Sequence, residues 1–225
     1  SRGSGKSWDA CRKLLLHALT HPFSKNMVVR LAMPSLKSTC VDLIINTLDM
    51  LEIPYTHRKI DNMIILPNNS TIQYRAMIEG GSKSSEPERV KSLTLDYVWI
   101  EEATELEKRH FDVLMPTLRG QKGTRQMIMT FNPPPSSSHW IYEVYERYEK
   151  RKKAKRYHYH YADNPFLPVD FVQDLEALKE YDEGLYRRYT LGEWKIDTTK
   201  GLIFTNLEFR EMEIPPDAVF FGGID

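Results

Sequence analysis

The chain has 225 residues, 31 basic and 31 acidic, and a formal net charge of zero at pH 7. That length suits one large domain, or one domain with a small appendage. Balanced charge excludes a whole-chain drive toward nucleic acid, so such binding needs a local patch, and no apolar run approaches the roughly 18–20 residues of a membrane span.

In chain order, "SRGSGKSW" (1–8) is a glycine-rich loop, and "WDACRKLLLHAL" (8–19) has the apolar spacing of a helix. "NMVVRLAM" (26–33) reads as a buried parallel strand. Pro34 and Ser35 start a second helix that runs to about Leu51. "NMIILPNNSTIQYRAM" (62–77) predicts two strands around an Asn-Asn-Ser turn, and 79–88 a polar loop. "LDYVWIEEA" (95–103) is a buried strand ending in two acids, 104–118 a helix, and "RQMIMTFNPP" (125–134) a strand that ends at Asn-Pro. The order indicates an α/β sheet with its site on the carboxyl edge of the strands. Beyond Pro135 the expectation is mostly helical: 139–156 with a basic end, a strand beginning at Tyr157, then helices near 169–180 and 182–190. The two cysteines, Cys11 and Cys40, lack metal-type spacing and favour a reduced, intracellular reading.

Three stretches carry chemistry. Gly5, Lys6 and Ser7 fit the last three positions of a phosphate-binding loop, G-x-x-x-x-G-K-[ST], whose first glycine falls one residue before Ser1. In such a loop the backbone amides around Arg2, Gly3, Ser4 and Gly5 cradle phosphates, Lys6 supplies a point charge, and Ser7 offers a hydroxyl to Mg²⁺. The alternative is a chance glycine-rich turn before a helix. "YVWIEE" is an apolar strand followed by two consecutive carboxylates. In additional-strand ATPases the first such acid orders the metal and the second activates water, which assigns Glu101 and Glu102 to those roles. Consecutive strand residues point opposite ways, but at a frayed strand end both reach one site. The alternative is a solvated strand end with Glu102 as an N-terminal helix charge. In "MTFNP", Thr130 and Asn132 are placed to sense the terminal phosphate, with Pro133 to Pro135 stiffening the exit; the alternative is a plain turn with an Asn cap.

With these motifs quoted, a resemblance appears. "SRGSGKSW", "VWIEEA" followed by "TEL", "MTFNPP", "DNPFLP", "LYRRYTLGEW" and "FFGGID" stand in the order found in large terminase subunits of tailed bacteriophages, and the chain resembles the PBSX-type group most. The resemblance implies an ATPase motor that drives double-stranded DNA into a procapsid, using ATP and Mg²⁺. It implies a P-loop NTPase fold of the RecA-like, additional-strand class, with a mainly parallel sheet flanked by helices and a small helical lid subdomain. The expected division is an ATPase core at 1–138, lid at 139–200, and the start of an RNase H-like nuclease at 201–225. Asp225 then matches the first ligand of that nuclease's divalent metal pair. Upstream residues that contact adenine, and the remaining nuclease acids, lie outside the chain on this reading. Implied partners are DNA, the portal protein, the small terminase subunit and further copies in a ring on the portal, in the host cytoplasm and away from any membrane.

Weaker signals remain. Arg2 either contacts the terminal phosphate in cis or pairs with an acid to order the loop. Arg89, Lys91 and Arg119 are candidates for an arginine or lysine acting in trans, or ordinary solvated charges. Arg151, Lys152 and Lys153, in a basic run from Arg147 to Arg156, are candidate DNA contacts or a solvated helix end. His158 and His160 alternate with tyrosines and show no zinc spacing. Two other functions stay open: a helicase or translocase of the same class, and a nucleotide-binding regulatory module without turnover, which has no need of a base at Glu102.

Overall fold

A computed structural model describes residues 1–78 and 90–194. Its frame is a six-stranded sheet of order β2-β3-β4-β1-β5-β6. The strands are β1 (Lys25–Ala32), β2 (Thr56–Arg58), β3 (Met63–Ile65), β4 (Thr71–Ile78), β5 (Tyr97–Glu101) and β6 (Gln126–Thr130). β4, β1, β5 and β6 run parallel, while β2 and β3 join antiparallel at one edge. In register, Val28 of β1 lies between Tyr74 of β4 and Trp99 of β5.

Both sheet faces are covered, which is why the central strands read as near-continuous apolar runs. On one face α1 (Lys6–Thr20) lays Ala10, Cys11, Leu14, Leu15 and Ala18 on Val28, Ile72, Tyr97 and Trp99. The opposite face, with Met27, Val29, Val98 and Ile100, packs under Leu106, Leu114 and Ile141. Both thiols are free and buried in the first layer, and desolvation pushes Cys11 up to about 11 and Cys40 up to about 12.

Several elements differ from their expected form. The helix after β1 starts as α2 (Met33–Leu36), passes through a π-helical turn at Lys37–Val41, and continues as α3 (Asp42–Met50). β2 has no sequence signal, because "THR" is short and mostly exposed. The single helix expected over 104–118 is broken. A 3₁₀ turn at Ala103–Glu105 gives way to an extended Leu106. Glu107 and His110 then cap each other to start α4 (Lys108–Leu114), and Pro116 lies in a closing 3₁₀ turn.

After the sheet come α5 (Trp140–Glu149), α6 (Val169–Tyr181) and α7 (Glu183–Leu185), the last running into a π-helical segment at Tyr186–Leu191. Gly192 closes it at φ 64°. α5 is shorter than expected, since the basic run leaves the helix at Lys150 and turns at Lys152, φ 54°. No strand forms at 157–161. His158 bonds the Leu191 carbonyl, Tyr159 donates to Asp9, and His160 caps a 3₁₀ turn at Tyr161–Asp163. Those tertiary partners replace a strand ladder. No helix among the described residues is long and apolar enough to cross a membrane.

Candidate active site

Gly5 is the N-cap of α1, with φ 80° and ψ 5°, and Gly3 has φ 69°. Both lie in the left-handed region, where a Cβ costs about 1 kcal/mol or more. Together they bend the loop so that it delivers Lys6 and Ser7 as the first residues of α1. That helix end carries free amides and the positive end of the dipole. Among the described residues Lys6 has no side-chain acceptor. Ser4 is buried and turns its hydroxyl back to the Ser1 carbonyl, 2.8 Å away, so it braces the loop from within.

Ser7 Oγ donates to Glu101 Oε1 at 2.6 Å, across 94 positions of sequence. Glu101 ends β5 and is 6 % exposed. Its other oxygen accepts from the Trp99 indole at 3.1 Å and from the Thr130 hydroxyl. The same indole reaches Thr130 Oγ1 at 3.0 Å, so Thr130 accepts from Trp99 and donates to Glu101. Trp99 and Glu101 share a sheet face because they are two apart on the strand. The start of α1, the end of β5 and the end of β6 therefore meet at one carboxylate.

Glu102 reaches the site by a different route from the frayed strand end expected. Its backbone is left-handed, φ 48° and ψ 54°, which turns the chain sharply into the 3₁₀ turn. A glutamate held there carries strain of the order of 1 kcal/mol or more, of a kind that clusters at functional sites. Glu102 lines a cleft of about 520 Å³ with Arg2, Gly3, Lys6, Arg30, Glu105, Asn132, Arg188 and Tyr189. Four cations face two carboxylates there, so the cleft suits a polyanion.

Burial raises the Glu102 carboxyl pKa, and the Glu101 and Glu105 charges push it the same way, while Lys6 and Arg30 pull it down. The net shift is upward from 4.5, which strengthens the carboxylate as a base. Its basic form is lost as pH falls through that raised value. Carboxyl-carbon NMR of Glu102 is expected to give a midpoint above 4.5, and Lys6→Met should move it higher. A wild-type midpoint at or below 4.5 would show that the two cations outweigh burial.

Sequence reasoning missed Arg30, Trp99, Glu105, Arg188 and Tyr189. Arg30 forks onto Glu105, with Nη2 to Oε1 at 3.0 Å and Nε to Oε2 at 3.2 Å. A lone charge inside the apolar run "NMVVRLAM" was the available signal. Asn132 does line the cleft, and its side-chain oxygen is buried without a donor. Arg2 has no carboxylate partner among the described residues; its guanidinium sits 3.9 Å from the Tyr189 ring centre instead. Arg119 bonds Thr94 and the Ser92 carbonyl and does not line the cleft. Arg151, Lys152 and Lys153 are exposed on the turn after α5, also away from it. Arg89 and Asp225, with all of 195–225, lie outside the described residues.

The family profile described as phage terminase large subunit matches residues 1–193. The chain is 29% identical over 206 residues to the PBSX phage terminase large subunit of Bacillus subtilis (strain 168), covering 82% of this chain and 46% of that protein. It is 24% identical over 221 residues to the large terminase subunit of Bacillus phage SPP1, covering 93% and 50%. The chain thus spans about half the length of the curated relatives it matches. In fold it is similar to the large terminase of a thermophilic bacteriophage, solved in complex with ADP. The TM-score is 0.72 at 16% identity, covering 87% of this chain and 47% of that one. With the profile matched from the phosphate loop to the last turn before Trp194, the chain belongs to the phage terminase large subunit family.

Proposed function

We propose that the chain is the ATP-hydrolysing motor of a large terminase, which moves double-stranded DNA into the procapsid. The observation that carries this reading is the Ser7–Glu101 contact, which joins the phosphate-loop hydroxyl to the acid ending the central strand at 2.6 Å. Two hard oxygens that close fit Mg²⁺, which takes one or two protein oxygens and fills its shell with phosphate and water; the helix N-terminus serves the phosphates rather than the metal. Glu101 and Ser7 are the residues that would hold it, and when bound it would neutralise charge on the phosphates. The ADP complex of the thermophilic phage's large terminase supports nucleotide as the ligand.

On this reading the loop amides from Arg2 to Ser7, with Lys6, bind and orient the triphosphate. Glu102 takes the proton from the attacking water. Thr130 and Asn132 report loss of the terminal phosphate, since Thr130 bonds Glu101 and Asn132 faces the cleft with an unpaired oxygen. We take 1–138 as the ATPase core and 139–200 as the lid. The nuclease expectation, with Asp225 and its metal pair, falls on residues outside those described. The portal, the small subunit and ring assembly in the host cytoplasm come with the family, and they complete the proposal. Phosphate release from ATP that needs Mg²⁺ and stops with chelator is the direct test. Tight ATP binding with no turnover under any condition would instead favour the regulatory module.

DNA contact is proposed for the turn after α5. Arg151, Lys152 and Lys153 are exposed and have no carboxylate partner among the described residues. If they track a phosphate backbone, replacing all three by alanine should weaken DNA binding and lower the slope of log affinity against log salt by about 0.9 per lost contact. A slope identical to wild type would move the DNA surface away from this turn.

A further inference from the structure

We propose that Arg188, acting with Arg2, contacts the terminal phosphate of a bound nucleoside triphosphate and so adds a phosphate-dependent tie between the C-terminal helical segment and the phosphate loop. The proposal rests on the nucleotide reading above. Its source is an arrangement around one ring. The Arg2 guanidinium lies 3.9 Å from the Tyr189 ring centre and that of Arg188 lies 5.0 Å from it. Both arginines line the cleft beside Lys6 and Glu102. Neither has a carboxylate partner among the described residues. Two like charges on one aromatic ring repel, and a ring face offsets only about 0.5–2 kcal/mol for each. An anion in the cleft that both arginines line would offset that repulsion, and a planar guanidinium is well shaped to meet phosphate oxygens in pairs.

Arg188 is half-spent already. Its Nε donates to the Pro133 carbonyl at 3.1 Å, while its two Nη groups have no protein acceptor among the described residues. Pro133 follows Asn132 at the exit of β6, so Arg188 joins that exit to the π-helical segment. The helical region from Asn164 to Leu191 is held against the loop by contacts independent of Arg188's side chain. Arg2 N donates to the Tyr189 carbonyl at 2.7 Å, and Asn164 Nδ2 donates to the Gly3 carbonyl at 2.6 Å. Leu167 and Phe171 pack so closely on Gly3 that an added Cβ would stand 2.8 Å from the Phe171 ring. Arg188 therefore stays near the loop without a ligand, with two donors to spare. A terminal phosphate would occupy them, and its departure would return the two arginines to mutual repulsion at the Tyr189 ring. That is a physical route from chemistry to movement of the helical segment.

The test compares a slowly hydrolysed ATP analogue with ADP by calorimetric titration of the protein and its variants. For Arg188→Ala, analogue affinity is expected to fall about 10–100-fold, the scale of charge-assisted hydrogen bonds. ADP affinity should stay within about threefold. Arg188→Gln keeps a donor for Pro133 but no charge, and should match alanine on the analogue. Arg188→Lys should recover part of the loss. These two variants carry the test if alanine does not fold. Equal weakening of the analogue and ADP would show that Arg188 only braces Pro133, and the proposal fails. Unchanged analogue affinity in Arg188→Gln also overturns it. If the wild-type protein binds neither nucleotide, the nucleotide reading itself fails and takes this proposal with it, a result seen before any substitution is made.

Discussion

Glu102→Gln is expected to lower ATP hydrolysis by about 10²–10⁴-fold while leaving ATP affinity within a few-fold. The substitution preserves shape and removes only the base. Glu102 makes no side-chain hydrogen bond among the described residues, and its carbonyl, which accepts from Glu105 N at 2.8 Å, is untouched. Fold and cleft should therefore survive. Losing a negative charge beside Lys6 should, if anything, favour the anionic ligand. Single-turnover hydrolysis together with binding of a slowly hydrolysed analogue separates the two effects. Glu101→Gln makes the useful contrast. That carboxylate accepts from Ser7, Trp99 and Thr130 at once, so its loss should disturb metal, loop and β6 together. Wild-type turnover in Glu102→Gln would assign the base elsewhere, with Glu101 the first candidate.

Lys6→Ala is expected to weaken ATP and ADP by on the order of 10²-fold or more, because the lysine is the main fixed charge for the β- and γ-phosphates. The structure adds a second expectation. Lys6 has no acceptor among the described residues, so the substitution should cost little folding stability, within about 0.5 kcal/mol. Titration with a fluorescent ATP analogue reads the first effect and a thermal melt reads the second. Equal affinity in wild type and variant would mean that "GSGKS" is not a phosphate loop. The pattern also differs from that expected at Arg188, where ADP is spared. The pair of experiments thus separates a contact made along the whole polyphosphate from one made at its end.

What was legible in the sequence follows from periodicity and burial. β1 and β5 announced themselves because both sheet faces are covered, leaving an apolar run in each. β2 was silent because it is a three-residue, mostly exposed strand paired with β3 at the sheet edge. The stretch 104–118 has helical composition, but the reciprocal cap at Glu107 and His110 and the proline at 116 divide it. Tyr157 to Tyr161 alternates like a strand yet finds its partners in Asp9, Leu191 and its own capping turn. Alternation permits a strand; it does not supply a neighbour to pair with.

The candidate site divides the same way. Lys6, Ser7, Glu101, Glu102, Thr130 and Asn132 could be named from local motifs, because glycine-rich loops and strand-terminal acids are patterns within a few residues. Their meeting could not. The Ser7–Glu101 contact spans 94 positions and depends on α1 packing over β5 in one register. The left-handed turn at Glu102, the Trp99–Thr130–Glu101 triangle and the arginines flanking Tyr189 exist only once sheet and helices are assembled. By itself the sequence determined the alternation of strands and helices, the loop chemistry and the order of the acids, all of which short-range backbone preference and hydrophobic spacing encode. The tertiary structure alone decided which charges share a cleft, since strand register and layer packing set those distances and no local pattern records them.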